Sequence, residues 1–321
     1  MPYFTAQELQ LMQKTLGIRL DKSRGQCYLI DKNILNLIIE YAKLDPQQDR
    51  VIEIGAGLGI LSDYLIQNSA QVFLVENDRK IANFLYSNYH NHFSCEFIDL
   101  SSFQSRLLTQ GLISRNKSKV IILFGDALKI PFPSANRVVA NIPYQISAPI
   151  LFKMIENWHY SQVNLMVQAE FADRLIASVN SSSYSRLSAS VGLFLDVHID
   201  HIVQPTSFFP RPRILSKLIT LHPKPPQFVA GFNSWENKKI YLSFLQGIFP
   251  YKNKTLRNAI RIWMKHHSEI KSEFPYFHKI CSNPEKFPGI LEKVRNISPK
   301  TLFSWCIYGK TGELEFEDSS N

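Results

Sequence analysis

The chain has 321 residues, of which 45% are hydrophobic and 20% charged, and its formal net charge is +9. This composition excludes wholesale disorder, and at roughly 150 residues per domain the length suggests two domains. No apolar run reaches the roughly 18 residues of a membrane-spanning helix, and the N-terminal stretch lacks the apolar segment of a signal peptide. The four scattered cysteines form no CxxC pair, which argues against a metal site or a disulfide framework. A cytoplasmic protein without a bound metal or a membrane partner is therefore expected.

Strand and helix patterns alternate along the first two thirds of the chain. Apolar runs predict strands at 51–54, 72–75, 120–124, 137–140, 164–168 and 217–221. Helical spacing predicts helices at 60–67 and 79–89. This alternation is typical of an α/β fold with a doubly wound parallel sheet. Residues 99–119 are polar and indicate a long loop or an insertion.

A break in this pattern divides the chain into two predicted domains. Three prolines, Pro223, Pro225 and Pro226, follow the last predicted strand and are typical of a linker. Beyond them, 235–265 and 284–308 have the apolar spacing of helices. We therefore expect a first domain over 1–222, beginning with an extension over 1–22, and a small helical domain over 223–321.

Positive charge is concentrated in the C-terminal part. Residues 1–200 contain 18 basic and 18 acidic residues, whereas residues 201–321 contain 18 basic and 9 acidic ones. Four of those nine form a short acidic tail, Glu313, Glu315, Glu317 and Asp318. A neutral part joined to a basic part suggests that one performs chemistry and the other binds a polyanion, although a solvated basic surface is the alternative.

A glycine-rich segment, Gly55-Ala-Gly-Leu-Gly59, follows the first predicted strand. Glycines at a strand end permit a tight turn and a close approach to a ligand. NAD and S-adenosylmethionine (SAM) are both bound at such turns, and a turn without any ligand is the alternative. Glu53 within the strand and the early Gly59 resemble the first motif of SAM-dependent methyltransferases, which makes Glu53, Gly55 and Gly57 candidate SAM contacts.

Acidic residues also end the next two strands. Glu76 lies about 20 residues past the glycines, where a carboxylate can accept hydrogen bonds from ribose hydroxyls. Asp126, followed by Ala127, is placed to accept a hydrogen bond from an adenine amino group. Each carboxylate alone could instead cap a helix. Three of them at successive strand ends favour a shared nucleoside pocket.

The segment Asn141-Ile142-Pro143-Tyr144 directly follows the strand at 137–140. Asn/Asp-x-Pro-Tyr at this place is typical of enzymes that methylate a planar sp² amine, chiefly adenine N6. The lone pair of such an amine is delocalised, and acceptors on Asn141 and Ile142 can fix the amine and favour its attack on a methyl group. Pro143 stiffens the turn, and Tyr144 offers a face on which an extruded base can stack.

These motifs and several others occur together in one known family. The chain resembles the small-subunit rRNA adenine N6,N6-dimethyltransferases, in their archaeal and eukaryotic form, over most of its length. The matching segments are Gly25–Asp31, Glu53–Gly59, Glu76, Gly125–Ala127, Asn141–Ser147, Gln168–Leu175, Tyr184–Ser188, Phe208–Arg213 and Lys252–Asn258.

The resemblance implies a Rossmann-like SAM-dependent methyltransferase domain with a small helical domain. It implies that two adjacent adenosines near the 3′ end of small-subunit rRNA each receive two methyl groups from SAM, on a pre-30S-type subunit during maturation. It places Gln26, Cys27 and Leu29 over the methionine end of SAM. It matches Phe208 to an aromatic ring that closes on the target base opposite Tyr144, with a neighbouring phenylalanine as the alternative. A monomer is expected.

Basic residues near and within the second domain are the candidate RNA contacts. They are Arg186, Arg211, Arg213, Lys252, Lys254 and Arg257. The spacing from Lys252 to Arg261 is roughly helical, so these side chains could line one face towards an RNA backbone, or simply solvate a helix. Tyr251 stands where the family usually has another basic residue, so one phosphate contact could be missing.

Two other functions are compatible with the same fold. One is methylation of large-subunit rRNA, which the form of residues 25–31 and 141–147 disfavours. The other is a non-catalytic ribosome-assembly or transcription factor, which would tolerate the loss of Asn141 or Glu76. Both residues are present.

Overall fold

The computed structural model describes residues 5–17, 27–102, 116–156, 158–224 and 235–312. Gln26, much of the predicted 99–119 insertion, Pro225, Pro226 and the acidic tail lie outside the described residues. The chain divides into two compact units, Met1–Ala172 with Val197–Pro223, and Asp173–Asp196 with Lys224–Asn321. Within the described ranges, no helix combines the length and apolar character needed to cross a membrane.

An eight-stranded sheet forms the centre of the first unit, and two further short strands pair separately. The strands are β1 (Tyr28–Leu29), β2 (Arg50–Ile54), β3 (Gln71–Glu76), β4 (Cys95–Asp99), β5 (Val120–Phe124), β6 (Arg137–Asn141), β7 (Gln162–Gln168), β8 (Leu195–Val203), β9 (Phe208–Phe209) and β10 (Ser216–Pro223). The order in the large sheet is β4-β5-β3-β2-β6-β7-β10-β8. Pairing is parallel from β4 through β7, whereas β10 runs antiparallel to β7.

Helices cover this sheet. They are α1 (Ala6–Leu16), α2 (Lys32–Ala42), α3 (Ile60–Asn68), α4 (Arg79–Tyr89) and α5 (Ser147–Glu156), followed by α6 (Ala169–Leu175), where the two units meet in the chain. The central strands are buried almost throughout, which explains their continuous apolar runs. Asp31 and Asp78 begin α2 and α4 by accepting hydrogen bonds from backbone N–H groups of the first turn.

The strand order creates a crevice beside β2. The chain leaves β2 through α3 to reach β3 on one side, whereas β6 lies on the other side. In parallel α/β sheets the loops at such a reversal point diverge and leave room for a ligand at the carboxyl ends of the strands. The glycine-rich turn follows β2, and the Asn141–Tyr144 turn begins at the end of β6.

The second unit is helical around an aromatic core. Its helices are α7 (Arg186–Phe194), α8 (Trp235–Ile248), α9 (Leu256–His266), α10 (Ile270–Glu273), α11 (Phe277–Ser282) and α12 (Pro299–Thr311). Phe274 and Phe277 stack with ring centroids 4.9 Å apart, and Phe244 packs on Phe277 at 5.6 Å. Gly247 permits the close approach of Trp263, because a Cβ there would lie 2.2 Å from the indole ring.

The first unit ends at Pro223, whereas the predicted first domain is 1–222, and the stretch Asp173–Asp196, which includes the start of β8, belongs to the second unit. Asp173–Asp196 forms one compact unit with Lys224–Asn321. Tyr184, which is buried, donates to the Ile297 carbonyl at 3.0 Å. The Tyr241 hydroxyl donates to Pro299 in the same unit.

Several predicted elements differ from the observed ones. Strands β4 and β8 were not predicted. The stretch 235–265 is interrupted by the turn Phe249–Tyr251, and most of 284–298 forms short 3₁₀ turns, so that only α12 is helical within the predicted 284–308 helix. Prolines at the starts of these segments explain the breaks, because proline cannot donate the backbone hydrogen bond that continues a helix.

Candidate active site

A cavity of about 530 Å³ lies in the first unit at the carboxyl ends of the central strands. Its lining includes the glycine-rich turn, Glu76, Asp126 and the Asn141–Tyr144 turn. The volume falls in the range of roughly 300–1,000 Å³ that is usual for small-molecule sites. The fold therefore brings together groups that are up to about 90 positions apart in the sequence.

The glycine-rich turn is held against the end of β3. The N–H of Gly55 donates to the Val75 carbonyl at 2.8 Å. Gly57 and Gly59 have φ values of +55° and +84°, a region that residues with a Cβ rarely adopt. A Cβ on Gly59 would also lie 2.6 Å from the Tyr89 hydroxyl. Both geometry and space thus require glycine at the end of the turn.

Glu53 lies at the cavity wall in β2 and is 2% exposed. Its carboxyl group accepts a hydrogen bond from the Ser62 hydroxyl at 2.5 Å. Burial raises the pKa of Glu53 to about 8, with smaller contributions from the charges of Asp63 and Glu76, although the Ser62 hydrogen bond opposes the shift. Glu53 is therefore predominantly a neutral acid at neutral pH.

Glu76 is held by three backbone N–H groups at the end of β3. Gly57 donates to Oε2 at 3.0 Å, while Asn77 and Asp78 donate to Oε1 at 2.8 and 2.9 Å. Burial raises the pKa of Glu76, and these three hydrogen bonds oppose the rise. The carboxyl group is thus fixed in orientation before any ligand arrives, and the remaining acceptor capacity is mainly on Oε2, which accepts only one of the three bonds.

Asp126 is more exposed than the other two acids. Its Oδ1 accepts from the Leu128 N–H at 2.9 Å, and Oδ2 lies 3.7 Å from the Lys129 ammonium group. The first contact is a local turn hydrogen bond. Asp126 and Ala127 both line the cavity, so the local role and a ligand contact are compatible.

The Asn141–Tyr144 turn packs against the glycine-rich turn, and both line the cavity. Asn141 ends β6 and Ile142 is 1% exposed. A Cβ on Gly55 would lie 3.3 Å from Pro143 Cδ, so the two turns are in close packing. The Tyr144 hydroxyl shares a hydrogen bond of 2.6 Å with Ser216 Oγ.

Residues 27–29 form a further wall. Cys27, Tyr28 and Leu29 all line the cavity, and β1 pairs with β9, placing Leu29 opposite Phe208. Tyr28 lies within the stretch Gln26 to Leu29 that the resemblance places over SAM, although it was not singled out as a candidate. Its ring lies 3.1 Å from where a Cβ of Gly57 would stand. Its position between two predicted contacts was the available signal.

The structure does not place Phe208 at the cavity. Phe208 is 3% exposed and packs in the hydrophobic core of the first unit. It is not among the residues that line the cavity. Phe209, the adjacent alternative, is less deeply buried. The expected role of Phe208 as a second stacking ring stays a prediction that needs a rearrangement of β9.

The candidate RNA contacts fall into two groups. Arg211 and Arg213 are exposed in the loop between β9 and β10, and Lys254 is exposed before α9. Lys252 instead donates to the carbonyls of Ser182 and Tyr184, at 3.1 and 2.7 Å.

Arg257 also has a role within the fold. Its Nε donates to the Cys281 carbonyl at 2.9 Å. Arg186, at the start of α7, is half-buried, and burial lowers its pKa. Lys252 and Lys254 precede α9, so the expected helical spacing begins only at Arg257.

Known proteins resemble this chain over most of its length. A sequence profile described as "Ribosomal RNA adenine dimethylase" matches residues 17–280. A protein of Methanothermobacter thermautotrophicus named "Probable ribosomal RNA small subunit methyltransferase A" is 32% identical over 286 residues, or 89% of each chain. A protein of the same name from Thermococcus onnurineus is 30% identical over 93% of this chain and 95% of its own.

Solved structures show the same fold. A dimethyladenosine transferase from Plasmodium falciparum has a TM-score of 0.65 at 26% identity, covering 89% of this chain and 98% of its own. The 23S rRNA methyltransferase ErmE has a TM-score of 0.54 at 18% identity, covering 89% of this chain and all of its own. The extent of the profile match, together with the two relatives, shows that this chain belongs to the ribosomal RNA adenine dimethylase family.

Proposed function

We propose that this protein transfers methyl groups from SAM to the N6 amines of two adjacent adenosines near the 3′ end of small-subunit rRNA, twice on each base. The observation that carries the proposal is that one cavity is lined by the glycine-rich turn, Glu76 and Asp126 and also by the Asn141–Tyr144 turn. The names of the two archaeal relatives support the small subunit as the substrate. The proposal includes action as a monomer, in the cytoplasm, on a maturing subunit.

The residues present fit SAM. The cavity has room for a nucleoside with an amino-acid tail, and its wall contains Glu76, Asp78 and Asp126 besides the neutral Glu53. An acidic wall suits a ligand with a sulfonium and an ammonium group. Glu76 would hold the ribose hydroxyls, because its oxygens are already oriented by backbone N–H groups. Asp126 would accept from the adenine amino group.

SAM, when bound, supplies a methyl group made electrophilic by the adjacent sulfonium. The chain's own task is to present the target amine. Oδ1 of Asn141 and the carbonyl of Ile142 would each accept one N–H of the amine, which holds the nitrogen in place and concentrates its lone pair on the side facing the methyl group. Tyr144 would stack on the extruded base. The methylated amine is acidic and releases its proton to water, so no strong base is needed.

The test is incubation of unmethylated small subunits with labelled SAM, followed by nucleoside analysis for dimethyladenosine. We expect the Asn141→Ala variant to lose this product while binding SAM with nearly wild-type affinity in calorimetry, because the change removes an acceptor for the amine. Wild-type-like turnover by Asn141→Ala would contradict the mechanism.

Large subunits serve as the competing substrate. Label in adenosines of large-subunit rRNA, with none in the small subunit, would reject the proposed target and favour the other rRNA class. Specific binding of subunits without any transfer would favour the non-catalytic assembly factor.

A further inference from the structure

The phenol of Tyr144 is held at both ends. Its backbone begins the 3₁₀ turn Tyr144–Ile146 at the end of the β6 segment. Its hydroxyl shares a 2.6 Å hydrogen bond with Ser216 Oγ. A ring restrained at both ends cannot swing about its first side-chain torsion without breaking this hydrogen bond.

Ser216 is a rigid partner. It is completely buried and is the first residue of β10. In the antiparallel pairing with β7 it stands opposite Gln168, and β7 pairs in turn with β6, which ends at Asn141. The sheet therefore fixes the distance between the Ser216 hydroxyl and the turn that carries Tyr144.

The hydroxyl of Tyr144 is not suited to acid–base chemistry. Burial raises the pKa of Tyr144 to about 12, and the neighbouring Cys27 contributes to the rise while Ser216 opposes it. The group stays neutral near pH 7. Its contacts hold the ring, and the ring face is what a planar base would meet.

We propose that Ser216 is a positioning residue that sets the orientation of the Tyr144 ring for stacking on the target base. The role of Tyr144 itself rests on the proposed function. Ser216 is not expected to contact SAM, since it does not line the cavity. Its loss should therefore lower the efficiency with the RNA substrate and leave SAM affinity unchanged.

A double-mutant cycle tests this inference. Ser216→Ala and Tyr144→Phe each remove one side of the same hydrogen bond, so we expect each to lower kcat/KM for small subunits by about three- to tenfold. The double variant should be no worse than the poorer single variant, because the two changes remove one interaction. Ser69→Ala is the matched control. Ser69 is also completely buried in the first unit, and its hydroxyl donates to the Leu65 carbonyl at 2.6 Å.

A second readout does not depend on methylation. In tyrosine-labelled protein, NMR should detect the Tyr144 hydroxyl proton in slow exchange in the wild type and in Ser69→Ala, and lose it in Ser216→Ala. A persisting signal in Ser216→Ala would overturn the inference, as would multiplicative losses in the cycle or a parallel loss of SAM affinity. If Ser216→Ala does not fold, Tyr144→Phe must still lower kcat/KM at unchanged SAM affinity. A Tyr144→Phe variant without this loss would also overturn the inference. Absence of dimethyladenosine with the wild type rejects the proposed function instead, and the NMR result still decides the role of Ser216.

Discussion

Replacement of Glu76 is the most direct test of the cofactor pocket. We expect Glu76→Ala to weaken SAM binding strongly, because two ribose hydroxyls lose a charged acceptor. Hydrogen bonds to charged groups contribute about 1.5–3 kcal/mol, which corresponds to a loss of roughly 10- to 150-fold in affinity.

The structure adds a second effect to this variant. Glu76 accepts hydrogen bonds from the N–H groups of Gly57, Asn77 and Asp78. Removal of the carboxylate leaves these donors without their partner, so the glycine-rich turn should become less ordered. A buried donor without a partner costs about 1–3 kcal/mol, and water entering the open cavity would offset part of that cost. Glu76→Ala should therefore also lower the melting temperature of the protein without SAM.

Glu76→Gln separates the two effects. A glutamine oxygen can still accept from Asn77 and Asp78, but its NH₂ group would face the N–H of Gly57. We expect an affinity between those of the wild type and Glu76→Ala, with a smaller loss of stability. Asp78→Asn is the matched control, because Asp78 lines the same cavity and caps α4, and asparagine caps a helix equally well.

Calorimetry with SAM and thermal unfolding without it measure the two quantities. If Glu76→Ala binds SAM with wild-type affinity, the pocket has been misassigned. If Asp78→Asn weakens SAM as much as Glu76→Ala does, general charge and not a specific acceptor would explain the loss.

Two further predictions concern stability and RNA binding. Glu53 has a pKa of about 8 in the fold against a reference value of 4.5, so its neutral form favours folding fully below pH 4.5, and this contribution is lost as the pH rises through 8. Glu53→Gln should therefore match the wild type in unfolding experiments near pH 4.5 and be more stable at pH 8 and above. Parallel pH profiles of unfolding for Glu53→Gln and the wild type would contradict the buried neutral acid. For RNA, we expect replacement of three exposed cations by neutral residues to lower the slope of log affinity against log salt by about two to three units, at roughly 0.7–0.9 per phosphate contact. An unchanged slope would show that these three side chains do not contact RNA. These cations are Lys254, Arg261 and Lys265.

The parts of the site that could be predicted from the sequence are those encoded by local patterns. The glycines between a buried strand and a helix, and the acids at the ends of β3 and β5, needed only strand periodicity and the rule that the carboxyl ends of parallel strands meet at one edge. The observed α4 has the predicted bounds, Arg79–Tyr89. Asn141 lies at the carboxyl end of β6, as the strand pattern predicted, and lines the cavity.

Elements at the edges of the sheet could not be predicted in the same way. Strand β8 is an edge strand in which only the two end residues are buried, and its centre has three charged or histidine side chains, His198, Asp200 and His201. It therefore lacks a clear apolar run. Strand β4, at the other edge, has only partly buried or exposed residues. Phe208 shows that a motif match can indicate a role without indicating where the side chain lies, because the side chain is buried.

The basic residues show why charge alone does not identify an RNA surface. Lys252 and Arg257 look equivalent to Lys254 in the sequence, yet their charged groups donate to backbone carbonyls in the second unit. Their neutralisation would remove hydrogen bonds of the fold together with any phosphate contact, so a loss of RNA binding could not be assigned to either cause. The side chains of Lys254 and Arg261 make no hydrogen bond or ion pair with another residue in the described ranges, although the Lys254 backbone bonds to Tyr251 and Val294. Their charge is available to an RNA backbone, and a change in salt dependence after their replacement reports binding and not folding.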